Sequence, residues 1–158
     1  MLNILFLCTG NSCRSIMAEG LLNNCGKDRF KAFSAGSNPT GKVHPISLKT
    51  LQSKNISTDY LYSKSWNELV GLHIDIVITI CDNAAGEACP VFLNKAIKAH
   101  WGVPDPEYFK GTDIEIEVEF NRVCEILERR IKSLYDLNIE SLDKDGLQQN
   151  LNKIGNIT

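Results

Sequence analysis

The run Asp75-Ile76-Val77-Ile78-Thr79-Ile80 sets the tightest limit on the fold. It is β-branched and apolar at neighbouring positions, so both of its faces need cover. Such a strand suits the middle of a parallel sheet, where crossover helices supply that cover. Asn3 to Leu7, Lys31 to Ala35 and Ala96 to Trp101 read as further strands. Met17, Leu21 and Cys25, with Ala18 and Leu22 beside them, predict a helix from about Ser15 to Cys25 that Gly26 ends. Pro45 suits the first turn of a second helix, running to about Gln52. Phe120, Val123, Leu127, Ile131 and Leu134 keep the helical period through Ile114 to Leu137. Leu147, Leu151 and Ile154 predict a last short helix over Leu142 to Ile154, with Gly155 as its stop. The pattern predicts an α/β fold in one domain over 1–158: a three-layer αβα sandwich around a small four-stranded parallel sheet.

Composition removes several classes of function. A chain of 158 residues is long enough for one core. Seventeen basic against nineteen acidic residues leave a net charge of −2, which gives no sign of nucleic acid or a membrane surface as partner. No apolar run reaches the about 18 residues of a membrane span. Met1 to Cys8 has no basic leader and too short an apolar run for a signal peptide, so a cytoplasmic protein is expected. Six cysteines are too few for a disulfide scaffold and are expected as free thiols unless some do redox work. The three histidines, His44, His73 and His100, stand at no zinc-site spacing from them, so no metal is expected.

Ligands of parallel sheets bind at the carboxyl ends of the strands. Three features fall there: the Cys8, Cys81 and Asp105 loops. Cys8-Thr9-Gly10-Asn11-Ser12-Cys13-Arg14-Ser15 is C-x5-R-S between a strand and a helix. A loop wrapping into a helix N-terminus aims several backbone N–H groups at one point, which makes an oxyanion cradle. Arg14 adds a planar, two-pronged donor. Cys8 on the cradle floor feels the same field, which favours thiolate, and Ser15 could donate to it. A thiolate beneath a tetrahedral oxyanion is aimed at its central atom. The alternative is an ordinary Gly/Asn/Ser turn with an incidental cysteine and arginine.

Asp105 lies between Pro104 and Pro106, which stiffen its loop, and a carboxylic acid there could protonate a departing oxygen. A turn-forming Asp is the plain alternative. Cys81 and Cys89 bracket a small, Ala/Gly-rich segment, Asp82 to Ala88, expected to be partly helical and easily rearranged. Three thiols at one sheet edge invite thiol–disulfide exchange, whereas buried packing thiols are the plain alternative. Cys13 is expected to contribute backbone rather than sulfur, and Cys25 and Cys124 to be packing residues. No chemistry is assigned to the histidines.

The Cys8–Ser15 loop, the Ile80-Cys81…Cys89-Pro90 pair and His100-Trp101-Gly102…Asp105-Pro106 together resemble the arsenate reductases built on the low-molecular-weight tyrosine phosphatase fold. The resemblance covers about Leu2 to Leu137 and leaves 138–158 as an extension. It implies that Cys8 attacks arsenate held by Thr9 to Ser15, with Asp105 assisting loss of water. Cys81 then attacks the adduct, releasing arsenite and leaving a Cys8–Cys81 disulfide. Cys89 takes over Cys81, and thioredoxin or glutaredoxin/glutathione reduces the Cys81–Cys89 disulfide. Phosphate and sulfate would compete, and the protein would act as a monomer without a cofactor. Asn11, Glu19 and Ser34 match loop-ordering positions that surround a potassium ion in some members. Here Lys64 stands where those members carry a carboxylate, so its ammonium is expected to replace the ion. Seven residues separate the relay cysteines, one more than in the thioredoxin-coupled members. Two other readings compete: a phosphomonoesterase needing only Cys8, Arg14 and Asp105, and a non-catalytic oxyanion or redox sensor. Glu107 argues against a tyrosine-phosphate specialist, because it would repel a phosphoanion.

Overall fold

The computed structural model describes residues 1–86 and 88–158. Strands β1 (Leu2–Cys8), β2 (Phe30–Gly36), β3 (Ile76–Thr79) and β4 (Ile97–His100) form one parallel sheet in the order β2-β1-β3-β4. The two most apolar strands are therefore central, as the both-faces rule for parallel strands requires. Leu5 lies opposite Phe33 and Val77, and Thr79 lies opposite His100. This register sends Ile4, Phe6, Ile76 and Ile78 into one apolar cluster and Leu5, Leu7 and Val77 into another.

The helices are α1 (Arg14–Cys25), α2 (Pro45–Gln52), α3 (Asp82–Gly86), α4 (Asp113–Asp136) and α5 (Lys144–Ile154). Their positions follow the sequence expectation, with starts shifted by caps. Thr112 and Glu115 form a capping box that starts α4 at Asp113, and Asp143 accepts from Gly146 N, so α5 begins after Leu142. α1, α4 and α5 bury their apolar stripes with Phe6, Trp101 and Phe120 in the larger cluster, and α2 packs on α1 and α4. The opposite face is covered by shorter pieces. Single 3-10 turns at Trp66–Leu69 and Val91–Leu93 bring Leu69 and Leu93 onto Leu5, Leu7 and Val77.

The extension beyond Leu137 is part of this packing. α5 lies along β4, and Trp101 Nε1 donates to Leu151 O at 2.9 Å. Arg130 on α4 is only 2% exposed; it donates to Trp101 O at 2.8 Å, Gly102 O at 3.2 Å and Ile157 O at 2.9 Å. The Trp101 and Gly102 carbonyls immediately precede the Asp105 loop. Among the described residues no helix is long and apolar enough to cross a membrane.

Candidate active site

The chain leaves β1 at Cys8 and enters α1 at Arg14, next to the point where the strand order reverses. The outer side of this loop is tied down by its carbonyls. Thr9 O accepts from Asn38 N, Gly10 O from Thr40 N and Ser12 O from His44 N, at 3.0, 3.0 and 3.1 Å. In a trans peptide the C=O and the following N–H point in opposite directions. The N–H groups of Gly10, Asn11 and Cys13 therefore turn inward, toward the cavity. No side chain caps the start of α1, which leaves its positive end for a ligand. Gly36 lets β2 end against this loop: a Cβ there would lie 2.4 Å from Thr9 O.

Asn11 fixes the bend. Its φ of 48° is left-handed, a conformation that asparagine tolerates better than most residues, and its side chain is fully buried. The amide donates to Ser15 Oγ (2.8 Å) and Ser34 Oγ (3.0 Å) and accepts from Lys64 N (2.9 Å). Ser34 in turn donates to Glu19. Burial pushes the Glu19 carboxyl up, and the Lys64 ammonium, 3.7 Å away and equally buried, pulls it back. Lys64 Nζ also donates to Tyr62 O at 3.0 Å and lies 4.3 Å from the centre of the Tyr62 ring. The loop-ordering set Asn11, Glu19, Ser34 and Lys64 is thus one contiguous buried network.

Inside the loop lies a cavity of about 410 Å³, lined by residues from Cys8 to Arg14 together with Cys81, Asp82, Asp105 and Glu107. Arg14 reaches across its rim. Nη1 donates to Val103 O at 3.1 Å and Nη2 pairs with Asp105 Oδ2 at 2.9 Å, while Nε is buried and has no partner among the described residues. An unmet buried N–H is costly, and a tetrahedral oxyanion in the cradle is the kind of ligand that would satisfy it. Asp105 also accepts from Glu107 N, which orients its carboxylate.

Cys8 and Cys81 touch. Cys8 and Cys81 hydrogen-bond to each other, so the charge that the sequence led one to expect on Cys8 alone is carried by a coupled pair. The bond and burial push the Cys8 thiol up, with Arg14 pulling it down. The same bond, against the burial of Cys81, lowers Cys81 to about 5, and Ala84 N–H at 3.3 Å and Thr9 Oγ1 at 3.6 Å add to it. Two thiols in contact share one proton, so the cradle's field is felt by a pair rather than by one sulfur. Ser15 Oγ accepts from Asn11, and its expected bond to Cys8 is not among the hydrogen bonds of the described residues.

The remaining candidates separate. Cys89 is half-buried and lines a different cavity, with Thr79, Ala84, Ala85 and His100. α3 bears out the partly helical expectation for the segment after Cys81; Glu87, inside that segment, lies outside the described residues. Burial pushes the Cys13 thiol up to about 12, and Asp105 and Glu107 add to this, so its sulfur stays protonated. Cys124 is buried as expected, but Cys25 is exposed, because α1 ends there and Gly26 turns the chain away. His44 caps α2 by accepting from Ile46 N, and His73 meets Asp75 at 2.9 Å. His100 bridges Thr79 and Asp82, a role the sequence reading missed. No signal within either strand points to it, because the β3–β4 register sets the Thr79–His100 pair.

The family model for low molecular weight phosphotyrosine protein phosphatase matches residues 3–149. The chain belongs to that family. Its sequence relatives include arsenate reductases, while a solved low molecular weight protein tyrosine phosphatase from T. tengcongensis shares the fold with a TM-score of 0.69 at 24% identity, over 90% of this chain and 100% of the other. An arsenate reductase of Halalkalibacterium halodurans is 37% identical over 130 residues, covering 82% of this chain and 92% of the relative. A solved arsenate reductase in its phosphate-binding state superposes with a TM-score of 0.70 at 26% identity, covering 85% of this chain and 97% of the other. The thioredoxin-dependent arsenate reductase of Corynebacterium glutamicum gives a TM-score of 0.60 at 25% identity, over 84% of this chain and 62% of the other.

Proposed function

We propose that the protein is an arsenate reductase, working by nucleophilic attack followed by a thiol relay. The observation that carries this is the second thiol: Cys81 lies against Cys8, and its charged form is held by Ala84 N–H and Thr9. A phosphomonoesterase has no use for a thiolate there. The cradle and Arg14 bind arsenate as a tetrahedral anion. Cys8 sulfur forms a bond to arsenic(V), an arsenic-bound hydroxyl leaves as water, and the Cys8 proton accounts for that water's second hydrogen. Asp105, paired to Arg14 at the rim, passes the proton to the departing oxygen. Cys81 thiolate then attacks Cys8 sulfur. The sulfur–arsenic bond breaks with its electron pair going to arsenic, which leaves as arsenite, and a Cys8–Cys81 disulfide remains. Cys89 thiolate attacks Cys81 and releases Cys8 as thiolate. An external dithiol reduces the Cys81–Cys89 disulfide.

Cys89 begins on the far side of α3, so this last exchange requires that five-residue helix to open. Thioredoxin-type proteins or glutaredoxin with glutathione are the reductants, and phosphate and sulfate compete for the cradle. A reducing compartment, the cytoplasm, fits six free thiols. Lys64 supplies the buried positive charge beside Glu19, so potassium is not required. The test is arsenite release with thioredoxin, with glutaredoxin/glutathione and with no reductant, in wild type and Cys81→Ser. Release that needs a thiol reductant and vanishes in Cys81→Ser supports the relay. Undiminished release in Cys81→Ser overturns it and leaves the phosphatase reading, which the shared cradle also supports.

A further inference from the structure

Resting on the relay reading, we propose that His100 is a positioning residue that fastens the Cys81 end of α3 to the sheet. His100 ends β4 and lies directly across from Thr79. Its Nδ1 is 2.8 Å from Thr79 Oγ1, and its Nε2 is 3.0 Å from Asp82 Oδ1. With its proton on Nε2 the ring donates to the carboxylate, while Nδ1 meets the threonine hydroxyl. Asp82 is the first residue of α3 and the neighbour of Cys81. Its side chain is 96% exposed, so no packing holds it; the ring does.

A second feature makes room for the contact. A Cβ on residue 102 would stand 2.8 Å from His100 Nε2 and 3.4 Å from Asp82 Oδ1. Gly102 leaves that space open. A five-residue helix has no stability of its own, so what it is tied to decides whether it forms. Here the tie is at one end. It keeps the first turn in place, and with it the Ala84 N–H that donates to Cys81. The Cys89 end is held differently, by packing of its half-buried side chain on the smaller apolar cluster, a contact with no fixed direction. Opening is thereby directed to the end that has to travel, while Cys81 stays beside Cys8.

The experiment compares His100→Ala, Asp82→Ala and Asp82→Asn with wild type. Amide exchange at Ala84 in the reduced protein should quicken about two- to fivefold in both alanine variants, as expected when a solvent-exposed charged pair is lost. Arsenite turnover should fall by a similar factor. Phosphate affinity should be unchanged in His100→Ala, whose ring lies outside the cradle lining, and should rise slightly in the Asp82 variants, which remove a carboxylate from that lining. Asp82→Asn keeps an acceptor for Nε2–H and should restore both exchange and turnover. The proposal is overturned if exchange stays at the wild-type rate in both alanine variants. It is equally overturned if exchange quickens with undiminished turnover, or if phosphate affinity falls in step with turnover. Cys81→Ser, measured alongside, keeps the two ideas apart: full turnover in it removes the relay, while exchange at Ala84 still judges the clasp.

Discussion

Cys8 sits where a helix terminus and an arginine favour a thiolate, yet its hydrogen bond to Cys81 and its burial push the thiol up. The sequence displays the loop's field but not the second sulfur that folding presses against it. This gives a pH prediction. A thiol lowered to about 5 is ionised throughout the neutral range and loses reactivity only as pH falls through that value. Site-resolved alkylation should therefore label Cys81 at pH 6 to 7, about two units below an ordinary thiol, while Cys8, pushed up, is labelled only in alkali. Preferential labelling of Cys8 at neutral pH would place the charge on the other sulfur. Lys64 supplies a second prediction. Its removal leaves Glu19 buried without its cation, so Lys64→Ala should lose about 3 kcal/mol in urea unfolding. Potassium added to that variant, but not to wild type, should raise its Tm if the ammonium occupies a cation's place. Arg14→Lys tests the cradle: an ammonium cannot reproduce the guanidinium fork, and phosphate affinity should fall on the order of tenfold or more.

α3 joins the site's chemistry to its motion. Cys81 lines the cradle and Cys89 lines another cavity, so on the relay reading oxidation to Cys81–Cys89 is expected to dismantle α3. Hydrogen exchange on the reduced and oxidised proteins should show protection at residues 83–86 in the first and none in the second. Equal protection in both would mean that Cys89 reaches Cys81 without refolding of this segment. The small Ala/Gly-rich stretch was legible as rearrangeable, because alanine propensity and missing apolar anchors are local properties. The four strands and the main helices were legible for the same reason: their apolar periods are written in consecutive residues. What was not legible depends on pairings across the sheet. Thr79 and His100 meet only because of the β3–β4 register, and the opposite sheet face is covered by turns at Trp66–Leu69 and Val91–Leu93 that carry no helical period. Cys25 shares an apolar stripe with Leu21 but is exposed, since it is the last residue of α1 and a stripe does not say how the chain turns at its end.

The parallel sheet gathers residues from three strand ends into one cavity, and the C-terminal extension braces the third of them. Arg130 ties α4 and Ile157 to the carbonyls of Trp101 and Gly102, and the next residues supply Val103 O and Asp105 to Arg14. Tail packing and rim geometry are therefore coupled through one buried guanidinium. Two substitutions separate packing from coupling. Leu151→Ala empties a fully buried position on α5 and should lower stability by about 3 kcal/mol. Its backbone carbonyl still receives Trp101 Nε1, so arsenite turnover should stay within about twofold of wild type, as a change in packing away from the reacting groups leaves their geometry in place. Arg130→Ala should cost a similar about 3 kcal/mol through carbonyls left unpaired. It should also slow turnover several-fold more than Leu151→Ala, because the Asp105 loop loses its anchor. Urea unfolding and arsenite release on the two variants check this. Equal turnover at equal loss of stability would show that the extension merely completes the core and has no hold on Asp105.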